Sequence, residues 1–306
     1  MAREGKYDAL YGKLVVMVGG SGFFGRHVAQ ELLSCGARLR IVSRSPERAF
    51  ALKPLAAVGQ LQFVSGDVTR AASLPGLLAG ADAVVNLIGA FSGDLDALQG
   101  RGAGKIAAAA RDAGAGAFVH VSAIGADAGS PVAYARTKAE GELAVLAAFP
   151  QATILRPSIL FGADDAFLTM FANLIARLPA LPVFGPQARL QPVFVDDAAA
   201  AVASALDQPQ IFGGKTYEIA GPEVVTMLEL HQRIAAAQGR SRTFFELPDF
   251  VSGAFAAATG WLPGAPLSAD QWALLKAGNV AGGKAPGLKA FGITPRPMGL
   301  FLDRWM

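Results

Sequence analysis

The sequence predicts an α/β fold in which a doubly wound parallel sheet carries helices on both faces and is followed by a small, α-rich C-terminal cap. Two observations lead to this prediction. Short apolar runs alternate with helical stretches as far as Pro157, and this alternation is typical of βαβ units. The first apolar run, residues 14–18, leads directly into a glycine-rich turn and a helical segment, which is how a Rossmann-type sheet begins.

The predicted strands are short apolar runs, as buried parallel strands are. In chain order they are residues 14–18, 39–42, 60–64, 83–89, 117–122 and 152–157. The helical stretches between them include residues 26–33, 103–113 and 133–149. Ligands bind at the carboxyl ends of such strands, so the residues that follow each strand are the candidates for a functional site.

The turn after the first strand reads Gly19-Gly20-Ser21-Gly22-Phe23-Phe24-Gly25. Glycines at positions 19, 22 and 25 allow a tight turn, a close approach of the backbone to a pyrophosphate, and close packing of the next helix on the strand. The pyrophosphate then faces a helix N-terminus, which favours negative charge. A glycine-rich turn that binds nothing is the alternative, but the flanking strand and helix favour a dinucleotide site.

The end of the second strand predicts which dinucleotide binds. An NAD site carries an acidic residue about 20 residues beyond the glycines, and Ser43-Arg44-Ser45 stands there instead. The guanidinium of Arg44 suits a 2′-phosphate, with Ser43 or Ser45 as a neutral donor and Arg48 as a second cation. We therefore expect NADP(H), with NAD(H) as the alternative. An exposed arginine that binds nothing is the simpler interpretation.

Residues after the third and fourth strands extend this site. Asp67 is placed to hydrogen-bond the adenine, although an aspartate here is equally suited to a turn or a helix cap. Asn86 and Gly89, at the end of the fourth strand, are expected to line the path to the nicotinamide. The cofactor-binding set predicted around the strand ends is Gly19, Ser21, Gly22, Phe23, Phe24, Gly25, Ser43, Arg44, Arg48, Asp67, Val68, Asn86, Leu87, Gly89 and Val121.

A serine, a tyrosine and a lysine carry the candidate chemistry. Ser122 ends the fifth strand, and Tyr134 and Lys138 lie four residues apart on the following helix, hence on one face. An ammonium lowers the pKa of a nearby phenol, so Tyr134 would transfer a proton near neutral pH while Ser122 orients the substrate oxygen. Lys138 would also hold the nicotinamide ribose. The alternative is a half-buried tyrosine and a solvated lysine on an amphipathic helix; lining the cofactor site and catalysis are separate hypotheses.

These motifs resemble the short-chain dehydrogenase/reductase superfamily, through Gly19-x-x-Gly22-x-x-Gly25, Gly66-Asp67-Val68, Ser122 and Tyr134-x-x-x-Lys138. Within it, segments such as Leu155-Arg156-Pro157-Ser158-Ile159-Leu160-Phe161-Gly162 and Gln191-Pro192-Val193-Phe194-Val195-Asp196-Asp197 look like the atypical branch. That branch holds the NAD(P)H-binding accessory subunit of respiratory complex I, NADH:ubiquinone oxidoreductase. The resemblance spans residues 12–240.

The resemblance implies a Rossmann-type fold that holds NADPH tightly beside the quinone-reducing arm of complex I, near the membrane surface. It implies a structural or regulatory nucleotide, because that subunit is not regarded as turning over a substrate. It also adds Arg156, Pro157 and Ile159 to the cofactor-binding set, since in the family this region closes over the nicotinamide. Bacterial relatives are often labelled epimerases. An autonomous oxidoreductase or epimerase acting on a small or quinone-related substrate is therefore the alternative.

The loop between Ser122 and Tyr134 departs from active extended dehydrogenases. The two residues are only twelve positions apart, where those enzymes usually have a longer loop. The short loop, residues 123–132, is expected to narrow the substrate pocket or to leave the serine poorly aligned. The residue types needed for turnover are present, but their spacing argues against it.

Composition limits the other functional classes. The 306 residues are 52% hydrophobic and 17% charged, as in a compact folded protein. A formal net charge of +3, without a basic stripe, argues against a nucleic-acid partner. The histidines, His27, His120 and His231, are far apart in the sequence, so no metal site is predicted. The single cysteine, Cys35, leaves no intramolecular disulfide.

The first seven residues are polar and lack the apolar core of a secretory signal. We therefore expect a cytoplasmic protein or a trimmed mature form. The resemblance adds complex I subunits near the quinone arm as partners, and with them a peripheral position on the cytoplasmic face of the inner membrane.

Residues 241–306 are predicted to form a cap or docking region, separate from a dinucleotide-binding domain of residues 1–240 that includes substrate-side insertions. Within it, residues 250–269 carry no charge and are long enough to span a bilayer. Glycines and prolines interrupt this stretch, which argues against a spanning helix. Two interpretations remain: a buried lid over the substrate side, or an exposed apolar face that docks on a membrane-associated partner.

Overall fold

The computed structural model describes residues 7–259 and 268–305. The chain forms two compact units, each assembled from three stretches of sequence. The first unit comprises Met1–Pro157, Val195–Ile219 and Gly283–Thr294, and the second comprises Ser158–Phe194, Ala220–Gly282 and Pro295–Met306. This division differs from the one predicted at residue 240, which lies inside the second unit. The reason is that the chain leaves the first unit at Pro157 and returns to it twice. A separate docking role for residues 241–306 stays a prediction.

The described strands, in chain order, are β1 (Leu14–Val18), β2 (Arg38–Ser43), β3 (Leu61–Ser65), β4 (Ala83–Asn86), β5 (Ala117–Val121), β6 (Thr153–Pro157), β7 (Leu160–Phe161), β8 (Ala180–Val183), β9 (Arg189–Leu190), β10 (Val193–Phe194), β11 (Thr216–Ile219), β12 (Val225–Thr226) and β13 (Thr243–Glu246). The described α-helices are α1 (Phe23–Ser34), α2 (Leu74–Leu78), α3 (Leu95–Gln99), α4 (Arg101–Asp112), α5 (Ala133–Ala148), α6 (Ala166–Arg177), α7 (Val195–Asp207), α8 (Pro209–Phe212), α9 (Met227–Ala237), α10 (Asp249–Thr259), α11 (Ala269–Ala277) and α12 (Gly299–Trp305).

The predicted elements of the first unit are present, with small shifts at their ends. The fourth strand, predicted over residues 83–89, ends three residues earlier, at Asn86. The N–H of Leu87 still donates to the carbonyl of Val18, at 2.8 Å. One residue later the N–H of Ile88 donates to the side-chain oxygen of Asn86, at 3.2 Å. The strand ends because this side chain replaces the next strand as the acceptor.

A seven-stranded sheet forms the centre of the first unit, in the order β11-β6-β5-β4-β1-β2-β3. Every neighbouring pair is parallel. The strand order reverses between β1 and β4, and in such sheets the ligand crevice lies at this point, beyond the carboxyl ends of the strands. The prediction of a doubly wound parallel sheet is confirmed.

Helices cover both faces of this sheet. On one face, α4 and α5 pack against alternate residues of the central strands, including Val16, Val84 and Phe118, which are buried together. Helices α1 and α7 contact each other, and α7 also contacts β4, β5 and β6. Because neighbouring residues of a strand point to opposite faces, the apolar runs are buried from both sides.

The described residues of the second unit form three two-stranded sheets, which pair β10 with β7, β12 with β9, and β13 with β8. Its aromatic side chains form a cluster in which Phe161 is fully buried and Phe194 stacks on Phe301 with ring centroids 4.1 Å apart. Of the uncharged stretch 250–269, the part up to residue 259 belongs to α10, and residues 260–267 lie outside the described residues. Among the described residues, none of the helices has the length and apolar character required to cross a membrane.

Candidate functional site

The three glycines of the turn after β1 have three different surroundings. Gly19 has a φ of +79°, a backbone conformation that residues other than glycine rarely adopt. A Cβ on Gly25 would lie 2.5 Å from the carbonyl oxygen of Gly20, so only glycine lets α1 approach the turn this closely. A Cβ on Gly22 would meet only the carbonyl oxygen of Gly19, at 3.9 Å. Gly22 therefore borders open space at the N-terminus of α1, where a pyrophosphate would lie.

Hydrogen bonds join this turn to the end of β2. The N–H of Gly19 donates to the carbonyl of Val42 at 2.9 Å. The hydroxyl oxygens of Ser21 and Ser43 are 2.6 Å apart, and the Ser43 oxygen also accepts from the N–H of Ser45 at 3.2 Å. These contacts fix the glycine turn beside the loop that begins with Arg44.

Arg44 and Arg48, the two cations predicted to bind a 2′-phosphate, are both exposed to solvent. Asp67 accepts hydrogen bonds from the N–H and the hydroxyl of Thr69, at 3.0 and 2.7 Å. These bonds lower the pKa of Asp67 below its usual value. The turn role of Asp67 is therefore present in the structure, its contact with adenine stays a prediction, and the neighbouring Val68 is buried.

The glycine turn also touches the chain that leaves β4. A Cβ on Gly19 would lie 3.1 Å from the side chain of Ile88 and 3.3 Å from the carbonyl carbon of Leu87. The other side of this segment faces Lys138, since a Cβ on Gly89 would lie 3.6 Å from its ammonium nitrogen. The segment 87–89 thus connects the predicted phosphate loop to the helix that carries the tyrosine and the lysine.

Lys138 is only 2% exposed, and its ammonium is held by backbone. Its Nζ donates to the carbonyl of Ile88 at 2.9 Å and to that of Val121 at 3.0 Å. These carbonyls lie just beyond β4 and at the end of β5. Burial lowers the pKa of Lys138 to about 8, while the nearby Glu142 opposes this effect. The solvated lysine of the alternative interpretation is not observed.

Tyr134 differs from the predicted proton donor in its ionisation. Its ring stacks on Phe91, with centroids 4.4 Å apart and planes inclined by 14°. Burial raises the pKa of Tyr134 to about 12, whereas the sequence analysis expected Lys138 to lower it. The reason for the difference is that the lysine ammonium is bound to the carbonyls of Ile88 and Val121, and desolvation dominates at the phenol.

Ser122 lies directly after β5, next to two buried polar residues. Its hydroxyl is buried without a hydrogen-bond partner, and so is the Nε2 of His120. The other ring nitrogen of His120 is 3.2 Å from the amide nitrogen of Asn86, which assigns Nδ1 as the acceptor. Burial, with the charge of Lys138, lowers the pKa of His120 to about 3. His120 is therefore neutral at physiological pH.

The last three predicted cofactor residues have other contacts. The guanidinium of Arg156 forms a bidentate ion pair with the carboxylate of Glu142, with N–O distances of 2.8 and 2.6 Å. The carbonyl of Pro157 accepts from the N–H of Ile124 at 3.0 Å. Ile159 belongs to the second unit, where its N–H donates to Asn279 at 2.7 Å. Cofactor contacts of these three residues stay predictions.

Three further residues, Phe91, Gln99 and His120, belong to this site and are not predicted from the sequence. Gln99 is fully buried; its side-chain oxygen accepts from the N–H of Ala90 and its amide donates to the hydroxyl of Thr137, both at 3.0 Å. No motif marks Gln99 or Phe91. His120 carried a signal, because a histidine inside a predicted buried strand needs a polar partner.

Comparison with known proteins identifies the family. Residues 19–166 match the family model described as NAD(P)H-binding. The chain is similar to NADH dehydrogenase [ubiquinone] 1 alpha subcomplex subunit 9, mitochondrial. It is 34% identical to the Arabidopsis thaliana protein over 241 residues, covering 75% of this chain and 60% of that one. It is 30% identical to the Rattus norvegicus protein over 305 residues, covering 97% and 80%. The chain belongs to the atypical short-chain dehydrogenase/reductase family that includes this subunit.

A further relative and a structural neighbour of this chain are named as enzymes. The ceramide reductase of Caulobacter vibrioides is 32% identical over 241 residues, covering 77% of this chain and 74% of the relative. The fold resembles that of the NADPH-dependent quinone oxidoreductase QOR2 of Escherichia coli complexed with NADPH, with a TM-score of 0.76 at 21% identity, covering 94% of this chain and 98% of that one. The family resemblance and the NAD(P)H-binding domain predicted from the sequence are confirmed.

The surroundings of the glycines give a paired prediction. Gly22→Val should weaken NADPH binding about 100-fold or more, because the new side chain fills the space of the pyrophosphate. Its backbone, with φ −76° and ψ 178°, accepts any residue, so the midpoint of urea unfolding of the free protein should not change. Gly25→Ala should instead lower the free energy of unfolding by about 2 kcal/mol, because its Cβ meets backbone. Fluorescence titration with NADPH and urea unfolding measure the two effects; unchanged affinity of Gly22→Val would contradict the assignment of the loop.

The neutral state of His120 predicts a pH dependence of stability. Between pH 6.5 and about 3 the unfolded chain binds a proton at this histidine and the folded chain does not. The contribution of His120 to the free energy of unfolding is complete above pH 6.5. Below that pH it falls by about 1.4 kcal/mol per pH unit, down to the pKa of the folded state. His120→Gln, which keeps an acceptor for Asn86, should flatten the acid side of the curve of unfolding free energy against pH. Parallel curves for the two proteins would show that His120 is protonated when folded.

Proposed function

We propose that this chain is a nucleotide-holding protein that binds NADP(H) and serves as an accessory subunit, or an assembly or stability factor, of respiratory complex I. The observation that carries the proposal is the similarity to subunit 9 of the NADH dehydrogenase [ubiquinone] 1 alpha subcomplex, which extends over 97% of this chain in the rat protein. Similarity limited to the dinucleotide-binding residues would support only a cofactor site.

The geometry around Tyr134 supports holding a nucleotide over turning over a substrate. A general acid works best when its pKa is near the working pH, and the pKa of Tyr134 is about 12. The ammonium of Lys138 donates hydrogen bonds to two backbone carbonyls. Its hydrogen-bond partners are therefore these carbonyls and not the phenol. The same lysine and the open space at Gly22 suit a tightly held dinucleotide.

The choice of NADP(H) over NAD(H) rests on the end of β2. Arg44 directly follows this strand and is exposed, so its guanidinium is available to a phosphate. The hydroxyl of Ser43 is engaged by Ser21 and by the N–H of Ser45, which keeps the turn in place beside it. No carboxylate occupies the position at which NAD-binding sheets bind the ribose hydroxyls.

We propose complex I subunits near the quinone arm as partners, and with them a peripheral position on the cytoplasmic face of the inner membrane. The support is the name of the relatives, which places them in a subcomplex of NADH dehydrogenase. The chain spans 60% of the plant relative and 80% of the rat relative, so contacts made by the remaining parts of those proteins do not transfer to it.

A second candidate is an autonomous reductase, which the similarity to a ceramide reductase favours. A bound NADPH would supply a hydride to a carbonyl carbon. The hydroxyl of Tyr134 would then give its proton to the carbonyl oxygen, to which the buried hydroxyl of Ser122 would donate a hydrogen bond. Lys138 would stabilise the tyrosinate that results only if its ammonium left the carbonyls of Ile88 and Val121.

The cofactor preference is tested with two arginines, one at the start of β2 and one directly after it. Arg44→Asp should weaken NADPH binding about 30-fold or more and narrow or invert the preference over NADH, because a charge-assisted contact becomes repulsive. Arg38→Asp is the matched control, because it changes the net charge by the same amount. Arg38 is exposed and begins β2, so it lies at the opposite end of the strand from Arg44. Titration with both nucleotides gives the ratio. The same ratio in the two variants would exclude Arg44 as the reader of the 2′-phosphate.

The role as a subunit is tested in a native membrane extract. A tagged full-length chain, solubilised in mild detergent, should elute in gel filtration together with NADH dehydrogenase activity. Elution as a free protein of 31.5 kDa would count against the proposed role as a subunit.

The purified chain, given NADPH and quinone or aldehyde acceptors, should show no sustained oxidation of the nucleotide. Steady turnover together with free elution would instead establish the reductase.

A further inference from the structure

Phe91 occupies an unusual position for a large apolar side chain. It is 64% exposed, yet one face of its ring lies nearly parallel to the ring of Tyr134, with centroids 4.4 Å apart. An exposed phenylalanine on a loop gains little from burial. Its position is therefore explained by the contact with the tyrosine and not by the hydrophobic core.

The loop that carries Phe91 is attached to the helix that carries Tyr134. The carbonyl of Ile88 accepts from Lys138 at 2.9 Å. The N–H of Ala90 donates to Gln99, which donates in turn to Thr137. Lys138 and Thr137 both belong to α5, as Tyr134 does. The beginning of the loop is thus fixed relative to this helix by two independent connections, one of them fully buried.

Beyond Ala90 the attachments change. Within the part of the chain that the structure describes, the hydrogen bonds of this loop stop at Ala90 and resume at Asp94, whose carboxylate caps α3 by accepting from Ala97 at 2.9 Å. Gly93, with a φ of +86°, lies between. Phe91 stacks on Tyr134 between these two points, and the hydrogen bonds that attach the loop lie on either side of the ring.

We propose that Phe91 is a positioning residue that caps Tyr134 and keeps the phenol covered, so that Tyr134 exchanges a proton only when the ring of Phe91 moves away. The inference deepens the proposed function, because it gives the physical reason why a chain with the serine, tyrosine and lysine holds a nucleotide without turning over a substrate. The raised pKa of Tyr134, about 12, agrees with a covered phenol.

Removal of the ring tests the cap. Phe91→Ala in the full chain, without nucleotide, should shift the pKa of Tyr134 from about 12 toward 10.0, which is up to about 100-fold more phenolate at a given pH below 10. Alkaline difference titration by absorbance measures the shift. Subtracting the same titration in a Tyr134→Phe background assigns it, because the chain has four tyrosines. Acylation of Tyr134 by N-acetylimidazole, located by mass spectrometry, should also become faster.

Phe50→Ala is the matched control. Phe50 is 43% exposed, lies in the same unit and contacts another ring, that of Phe63, at 4.9 Å, but it has no contact with Tyr134. It should leave both readouts of Tyr134 unchanged. Phe91→Leu, which keeps apolar bulk without a flat ring, should shift the pKa of Tyr134 by a smaller amount. This variant replaces Phe91→Ala in the test if the alanine variant does not fold.

Two results would overturn the cap: a Tyr134 titration and acylation rate equal to those of the unchanged protein in both Phe91 variants, or the same shift in Phe50→Ala. Failure of NADPH binding is a separate result, because the titrations are done without nucleotide. NADPH affinity that stays within about threefold in Phe91→Leu, together with a shifted titration, would show that the cap acts on the phenol and not on the cofactor site.

Discussion

The candidate site depends on the close approach of two backbones at the carboxyl ends of β1 and β4. A Cβ on Gly19 would lie 3.1 Å from the side chain of Ile88, and the carbonyl of Ile88 in turn binds the ammonium of Lys138. The single residue Ile88 therefore lies between the glycine turn and helix α5. Because strand order reverses between these two strands, their loops diverge and leave the crevice in which dinucleotides bind.

Burial decides what the polar groups of this crevice do. Lys138 and Tyr134 lie on one helical face, as their spacing requires, but each is desolvated and each has its own partner: backbone carbonyls for the ammonium and the ring of Phe91 for the phenol. Desolvation disfavours the charged form of both groups, lowering one pKa and raising the other. The residue types of a reductase are thus present, but the pKa of Tyr134 lies far above neutral pH, which supports the proposed nucleotide-holding role.

Family membership fits either outcome, since the same fold carries a respiratory subunit and a reductase. What distinguishes them lies in a few side chains around a shared sheet. In this chain Gln99 and Phe91 contact the helix that carries Tyr134. Under the proposed function they act on the tyrosine and not on the glycine turn, so a change from enzyme to nucleotide-holding subunit does not require a change of fold.

The sequence by itself determined the sheet, the glycine turn and the residue types of the site, because these follow from local rules: apolar runs of strand length, the backbone freedom of glycine at position 19, and the helical spacing of Tyr134 and Lys138. Only the tertiary structure decided the division into units, since the chain leaves the sheet and returns to it. It alone also decided the ionisation of Tyr134 and the roles of Phe91 and Gln99. Desolvation and contacts between residues far apart in sequence, such as Gln99 and Thr137, depend on how the elements pack, and no local pattern encodes that packing.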